Sequence, residues 1–568
     1  MAAEKWCATL VALFVLLGLS ITFGFGTSYV NDGIGFEKGN RRRILAVVKF
    51  ELLMILFSMF TYFRIMDSLN SKNDLSRREK RLQLGPLSLN PRRFAVSMIL
   101  IIWLSLAQIG FPLYWVNSSI QNQLFDISMI SLGLWNYIVA ILFVLFCISL
   151  GISSLNIFSS GRTFVKVLFR CTFLKWLFEE PRSQVIISVS VGVIISLLTF
   201  LCSDMLSLKE QVFHIRNLPP QAVGLRFAVV SDIHVGASVK KDHVAKVVDR
   251  INSENVDAVF LVGDIIDSPR SAVWRRTLPL GIFLTAFVKR IARYRYLKSK
   301  FGTFYVTGNH EYYYGNALDW FEFFKTLGIQ VLDNRSVNLN GLCLAGVNDY
   351  SSGNSGIKGH KFDIDLALSN CSESEPILVL SHNPASAQQI AFNAQNRRVD
   401  LILSGHTHAG QFYTIAPIAY FVLPYFHGVY QISSHTQLLV SAGTLYQGPP
   451  MKMLGMSEIW IVSLQPFASN HSSKFGTKML EKMGWKDGGG LGKKEQGRND
   501  NIKLKANYSG KGLGCESSYD DTWVAHHDDF ANLLHTLNQK KDDGGEGDAD
   551  KNDVVASEKS KKSRSRVR

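Results

Sequence analysis

Five apolar stretches, at 6–26, 44–63, 94–116, 127–155 and 185–206, dominate the first third of this 568-residue chain. A helix needs about 20 mostly apolar residues to cross ~30 Å of hydrocarbon, and each stretch meets that length. Residues 1–207 therefore read as a five-span membrane region. Glu4 and Lys5 cancel in front of the first stretch, which reads as an uncleaved anchor rather than a signal peptide. Only 19% of residues are charged, below the roughly 25% of soluble domains. Seven cysteines without a C-x-x-C pair exclude a disulfide-stapled miniprotein and argue against a zinc ribbon.

Loop charge orients the spans. Lys and Arg number four in 28–43, eight in 64–93, none in 117–126 and five in 156–183. The positive-inside rule places the second and fourth loops in the cytosol, and the N-terminus with them. Everything after 206 is then expected to be lumenal or extracellular. Asn117-Ser118-Ser119, Asn334-Arg335-Ser336 and Asn370-Cys371-Ser372 are glycosylation acceptor patterns that would face that same side. Arg162, Lys166 and Arg170 recur every four residues among apolar neighbours, as in a helix lying on the cytosolic leaflet.

After an 18-residue stretch, 207–224, read as a linker, the pattern changes to short apolar runs alternating with helical segments. Strands are expected at 225–231, 258–262, 303–307, 342–347, 377–380, 401–403 and 438–441, with an amphipathic helix at 240–254. Such alternation argues for an α/β domain. Polar strings sit at the strand ends: Ser231-Asp232-Ile233-His234, Gly263-Asp264, Gly308-Asn309-His310-Glu311, Ser381-His382 and Gly405-His406-Thr407-His408. Asp232 and His234 are two apart, which on an extended strand end points both to one side. Strand ends collect at one rim of an α/β sheet, where sites form. Carboxylate, imidazole and amide donors suit divalent Mn, Fe or Zn. Two such cations ~3.5–4 Å apart call for a bridging carboxylate and a bridging hydroxide. Each string alone is weak; the ordered set carries the signal.

These strings resemble the signature of calcineurin-like metallophosphoesterases, within them the transmembrane proteins with a metallophosphoesterase domain. The resemblance covers roughly 1–464 and implies a four-layer αββα sandwich over 225–466 with a dinuclear site between its sheets. It implies that Asp232, His234 and His408 hold one metal, that Asn309, His382 and His406 hold the other, and that Asp264 bridges. His310 would assist the transition state or protonate the leaving oxygen. The implied activity is hydrolysis of a phosphomono- or diester by hydroxide held between the metals. A departure from the resemblance is the apolar-basic stretch 282–300, with Lys289, Arg290, Arg293, Arg295, Lys298 and Lys300 among Phe, Ile and Tyr. It reads as an amphipathic helix, a mis-joined exon or a membrane-touching flap. A site this close to the bilayer makes a lipid-linked phosphate a plausible substrate.

Past residue 466 the composition breaks again. Glycines crowd 474–514, with Phe475, Met483, Trp485, Leu491 and Leu513 at set places among them. By composition alone this is flexible linker. The order of apolar residues resembles a G-patch at 473–519, and specifically the nucleolar G-patch proteins that inhibit telomerase, with an associated extension at 520–538. That resemblance implies a largely unstructured segment whose apolar anchors bind RNA or a DEAH-type RNA helicase. Residues 539–568 are a charged disordered tail whose basic end reads as a nuclear signal or a solvated terminus.

The halves conflict, because the loop charges put the G-patch across a membrane from RNA and helicases. The span count is wrong by one, the G-patch has another role, or two adjacent genes are merged in this sequence. Two function classes follow: a membrane-anchored phosphoesterase, or a membrane-held G-patch adaptor.

Overall fold

The computed structural model describes residues 35–69, 91–116, 123–281, 296–314 and 316–467. The expected span at 6–26, the acceptor Asn117, most of the 282–300 stretch and the G-patch anchors Phe475, Met483, Trp485, Leu491 and Leu513 lie outside these residues.

The front of the chain is helical: α1 Gly35–Ser68, α2 Pro91–Val116, α3 Gln123–Leu155, α4 Ser159–Leu168, α5 Thr172–Glu179 and α6 Pro181–Leu201. Four of them (α1, α2, α3 and α6) are long and apolar enough to cross a membrane. Ile99, Ile102, Ile186 and Leu197 point outward, as lipid-facing side chains do. Inside, Met54, Leu104, Trp135 and Val139 pack together, and Gln108 Nε2 and Trp135 Nε1 both donate to Ser58 Oγ, at 2.7 and 2.8 Å. Gly192 lets α6 approach α3 at Ile138, the small-residue contact typical of membrane helices. The expected basic helix is shorter than its four-residue spacing implied. Arg162 and Lys166 lie on α4, but that helix ends at Leu168 and Arg170 falls in the turn before α5.

The α/β part holds two six-stranded sheets. The first runs β1 (Ser207–Ile215), β12 (Glu458–Pro466), β2 (Arg226–Val230), β3 (Ala258–Val262), β4 (Thr303–Val306), β5 (Gln330–Val331). The second runs β10 (Gly428–Gln431), β11 (Gln437–Val440), β9 (Leu401–Ser404), β8 (Ile377–Leu380), β7 (Leu342–Gly346), β6 (Arg335–Leu339). Strands β2 to β5 are parallel, as are β7, β8, β9 and β11. The two-residue period of a strand explains the layering. Phe227, Val229, Phe260 and Val262 face Leu378, Leu380, Leu401 and Leu403 between the sheets. Their neighbours Ala228, Val230, Val259 and Leu261 face the opposite way. There they meet helices α7 (Lys241–Asn252), α8 (Arg270–Thr277) and α9 (Ala317–Thr326). On the far face of the second sheet, Ile377, Val379 and Ile402 pack under α10 (Ile364–Leu368) and α11 (Ala387–Ala391). The result is the expected αββα sandwich.

The stretch expected to be a linker is not one. Residues Ser207–Ile215 form β1, paired in parallel along its length with Glu458–Pro466. Lys209, Glu210 and Gln211 disguise it, but Phe213 and Ile215 are buried while Val212 and His214 stay out. Charged side chains are what an edge strand carries. With α6 ending at Leu201, only five residues separate the last membrane helix from the sheet, so the α/β part is docked and not tethered. Helix α3, about 50 Å long at 1.5 Å per residue, is longer than a bilayer crossing requires. Its first turns lie against the α/β part. Asp126 Oδ2 meets Lys240 Nζ at 3.0 Å, Phe125 and Met129 cover Ala237, and Gly133 accommodates Met451.

Candidate metal centre

Five parallel or near-parallel strands deliver their C-terminal loops to one rim. After β2 come Asp232 and His234, after β3 Asp264, after β4 Asn309 and His310, after β8 His382, and after β9 His406 and His408. The convergence of Asp232 and His234 has a different cause from the one read in the sequence. Strand β2 ends at Val230, and both residues have left-handed backbone, φ 53° and 54°. Asp264, His406 and His408 share that conformation, at φ 51°, 73° and 51°. Non-glycine residues adopt it rarely, and such strain gathers at functional sites.

Three groups of donor atoms result, all buried but for half-buried His406: Asp232, His234 and His408; His234, Asp264 and His310; and Asp264, His382 and His406. Asp264 belongs to two of them. In the first group His234 Nδ1 lies 2.9 Å from Asp267 Oδ1. The proton therefore belongs on Nδ1, and the Nε2 lone pair points at His408 Nε2, 2.9 Å away. Asp232 Oδ1 is 3.3 Å from that same His408 nitrogen and 3.8 Å from the His234 one. Two ligands bound at about 2.1 Å and at right angles would stand ~3 Å apart, so this spacing fits a shared cation.

The other side follows the same logic. His382 Nδ1 donates to the Val262 carbonyl at 2.8 Å, leaving the Nε2 lone pair toward Asp264 Oδ2 at 3.0 Å. His382 Nε2 has no hydrogen-bond partner although it is buried. A lone pair facing a carboxylate in a dry site is relieved by a positive charge between them, a proton or a metal ion. His406 Nδ1 and Asn309 Oδ1 meet at 2.8 Å beside this pair.

Electrostatics keep Asp264, His406 and His408 in ligand form. At His234 and His382 burial would lower the imidazole, but the carboxylates of Asp267 (at His234) and of Asp264 and Asp232 outweigh it and raise both. Burial alone would raise the Asp264 carboxyl, but His382, His310 and His234 outweigh it and hold it well below the ordinary range. Burial, with His234 next to it, pushes His408 well below the usual imidazole value, and burial with His382 lowers His406. Neutral imidazoles are the form that binds metal. Close approach of the loops also requires small residues. A Cβ at Gly308 would collide with the Asp264 carboxylate, and one at Gly405 with Asp232.

Several residues around the clusters have no counterpart in the sequence reading. Asp267 accepts from both His234 and, at 2.5 Å, His310 Nδ1; its only sequence signal is a second carboxylate three places after Asp264. Glu311 was visible in its string but without a role. Its carboxylate accepts the backbone N–H of Asp264, Ile265, Ile266 and Gly308, at 3.1, 2.8, 3.2 and 2.6 Å. It thus ties the loop after β3 to the loop after β4. Burial, with Asp264 nearby, pushes Glu311 up to about 7 against those donors. Gln447, with no sequence signal, places Nε2 2.8 Å from His310 Nε2. Lys452 Nζ is buried and donates to the Gly443 and Leu445 carbonyls, at 2.8 and 2.6 Å.

A two-sheet αββα sandwich with paired His/Asp clusters sharing one carboxylate defines a metallophosphoesterase fold. The calcineurin-like phosphoesterase family model matches residues 225–410, and the G-patch domain model matches 472–516. The transmembrane protein with metallophosphoesterase domain of Danio rerio is 34% identical over 258 residues, 44% of this chain and 55% of the relative. An uncharacterized metallophosphoesterase of Helicobacter pylori is 37% identical over 261 residues, 46% of this chain and 64% of the relative. The PIN2/TERF1-interacting telomerase inhibitor 1 of Rattus norvegicus is 47% identical over 103 residues, 17% of this chain and 31% of the relative. The chain thus spans between about half and two thirds of the length of these two metallophosphoesterase relatives. It carries a calcineurin-like metallophosphoesterase domain, and a G-patch domain follows in its sequence.

Proposed function

We propose that this chain is a membrane-anchored, metal-dependent phosphoester hydrolase. The observation that carries the reading is the pair of donor clusters joined through Asp264. Asp232, His234 and His408 would hold one divalent cation, Asn309, His382 and His406 the second, and Asp264 would bridge, with Mn, Fe or Zn fitting the donors. Bound there, the cations would acidify a water and neutralise phosphoryl oxygens.

The chain's own residues supply the rest. Asp267 fixes the ring of His310 through Nδ1, which turns Nε2 toward the Gln447 side of the site. Protonated at Nε2 as well, with the Gln447 amide turned so that its oxygen accepts, that ring can pass a proton to the departing oxygen, a contribution of typically 10²–10⁴-fold. Glu311 holds the Asp264 loop in register with the Asn309 loop. The test is metal-dependent hydrolysis of bis-p-nitrophenyl phosphate by the full chain, with Asp264→Asn beside it. Turnover that survives in metal-replete Asp264→Asn would remove the assignment.

A lumenal or extracellular placement of the domain is supported by the loop charges and by the Cys343–Cys371 disulfide, since such bonds persist in oxidising compartments. The matched G-patch supports a second reading, in which the tail binds RNA or a DEAH-type helicase. Capture of a helicase by the full chain, lost on replacing Trp485 and Leu491, would favour it.

A further inference from the structure

Helix α12, Ala416–Val422, begins six residues after the His408–Gly410 turn and buries none of its side chains. Tyr413, Ile415, Ile418, Tyr420, Phe421 and Val422 form an exposed apolar surface, with Phe421 85% and Val422 73% accessible. Isolated exposed apolar residues need no explanation, but a contiguous aromatic and aliphatic patch marks an interaction site.

The position of the patch names its occupant. Directly before the helix, Thr414 Oγ1 is hydrogen-bonded to Asn136 Oδ1 of α3, and the Phe412 ring lies 5.8 Å from Tyr137. On the same side, Lys452 N reaches the Thr199 carbonyl at 3.5 Å, and Ser457 Oγ donates to the Ser203 carbonyl at 2.7 Å. Thr199 is in the last turn of α6, whose 21 residues extend for about 31 Å, one hydrocarbon thickness. The segment leading into α12 therefore touches the bundle where a membrane helix ends. Tyr and Phe beside Ile and Val at that level match an interfacial anchor.

At its other end α12 is packed on the metal loops. Ala416 sits against Gly410 so closely that a Cβ at Gly410 would collide with it, and Ala409, Ala442 and Met453 pack against Ala416 and Phe426.

We propose that α12 enters the leaflet in which the chain's own helices end and that it holds the mouth of the metal site against that leaflet. The substrate is then a phosphoester carried on a membrane lipid, a step that rests on the phosphoesterase reading above. The occupant of the patch is the bilayer, not a second protein.

The full chain in phosphatidylcholine vesicles tests this in two arms. In a chain whose cysteines other than the 343–371 pair are replaced, a nitroxide on Phe421→Cys is expected to be relaxed by oxygen and shielded from a water-soluble nickel chelate. Equal exposure to the chelate overturns the membrane contact, whatever the activity. In the second arm, Ile418→Asp with Phe421→Asp is expected to keep turnover of bis-p-nitrophenyl phosphate. On phosphatidyl-p-nitrophenol in the same vesicles it should lose roughly tenfold or more, the scale of one or two lost apolar burials. The apolar control Ile418→Leu with Phe421→Leu should lose neither. Equal effects of the Asp pair on both substrates overturn the lipid assignment. Absence of turnover of either substrate by the unaltered chain sinks the phosphoesterase reading and leaves the nitroxide arm to decide the contact.

Discussion

Asp267 Oδ1 stands 2.5 Å from His310 Nδ1, and the same oxygen accepts His234 Nδ1 at 2.9 Å. One carboxylate thus sets the tautomer of an expected metal ligand and of the expected proton donor together. Burial would raise that carboxyl, but His234 and His310 outweigh it and hold it ionised. Asp267→Asn keeps the shape while removing the charge that orients both rings. It should cost 10–100-fold in metal affinity or activity, the usual scale for partners of metal-binding histidines. Activity titrated against added Mn reads both effects; a variant with the original metal dependence and rate would exclude this role.

Glu311 is a structural tie and not a ligand. Glu311→Ala leaves four backbone N–H groups buried without their acceptor. The expected loss is about 3 kcal/mol of stability, visible as a lower denaturation midpoint in detergent. Glu311→Gln, which keeps one oxygen, should fall between the two. An unchanged midpoint in Glu311→Ala would show that the loops are held by other contacts.

The acceptor patterns separate cleanly in the fold. Asn334 is buried: its Nδ2 donates to the Lys361 carbonyl at 2.7 Å, and its Oδ1 accepts Asn348 N and Asp363 N. A glycan cannot be attached there in the folded domain, contrary to the sequence reading. Asn370 is exposed beside the Cys343–Cys371 bond. Asn370→Gln should therefore remove a glycosidase-sensitive band shift and Asn334→Gln should not. Opening the disulfide, which closes a separation of 28 residues, should cost roughly 3.5 kcal/mol. A domain free of glycan at Asn370 and with both thiols reduced in cells would place it on the cytosolic side.

Acid stability is expected to depend on Glu458. Burial raises its carboxyl, but His427 and the Ala442 N–H and Trp460 Nε1–H donors outweigh that and lower it from 4.5. A lowered carboxyl contributes stability above the unfolded value that is lost as pH falls through the folded one. The midpoint of the unaltered chain should drop on acidification below about 4.5, and Glu458→Gln should flatten that drop while lowering stability at neutral pH. Parallel curves for the two proteins would assign the acid limb to other groups.

Local pattern determined much of this protein. Span length follows from helix rise against bilayer thickness, so 44–63, 94–116, 127–155 and 185–206 were readable as membrane helices. Strands β2, β3, β4, β7, β8, β9 and β11 announced themselves as buried apolar runs, and the donors at their ends followed in order. What the sequence could not express is pairing between distant segments. Strand β1 is recognisable only with β12 beside it, some 250 residues later, because Lys209, Glu210 and Gln211 interrupt its apolar alternation. Asp267 looks like any loop carboxylate until His234 and His310 are brought to one of its oxygens. Gln447 reaches His310 across 137 residues. The apolar run of α12 is locally no different from a buried one, and only the tertiary structure leaves it exposed, with Thr414 docked on Asn136. Short-range periodicity records which side of an element is apolar; tertiary packing decides what that side, or a lone polar atom, finally meets.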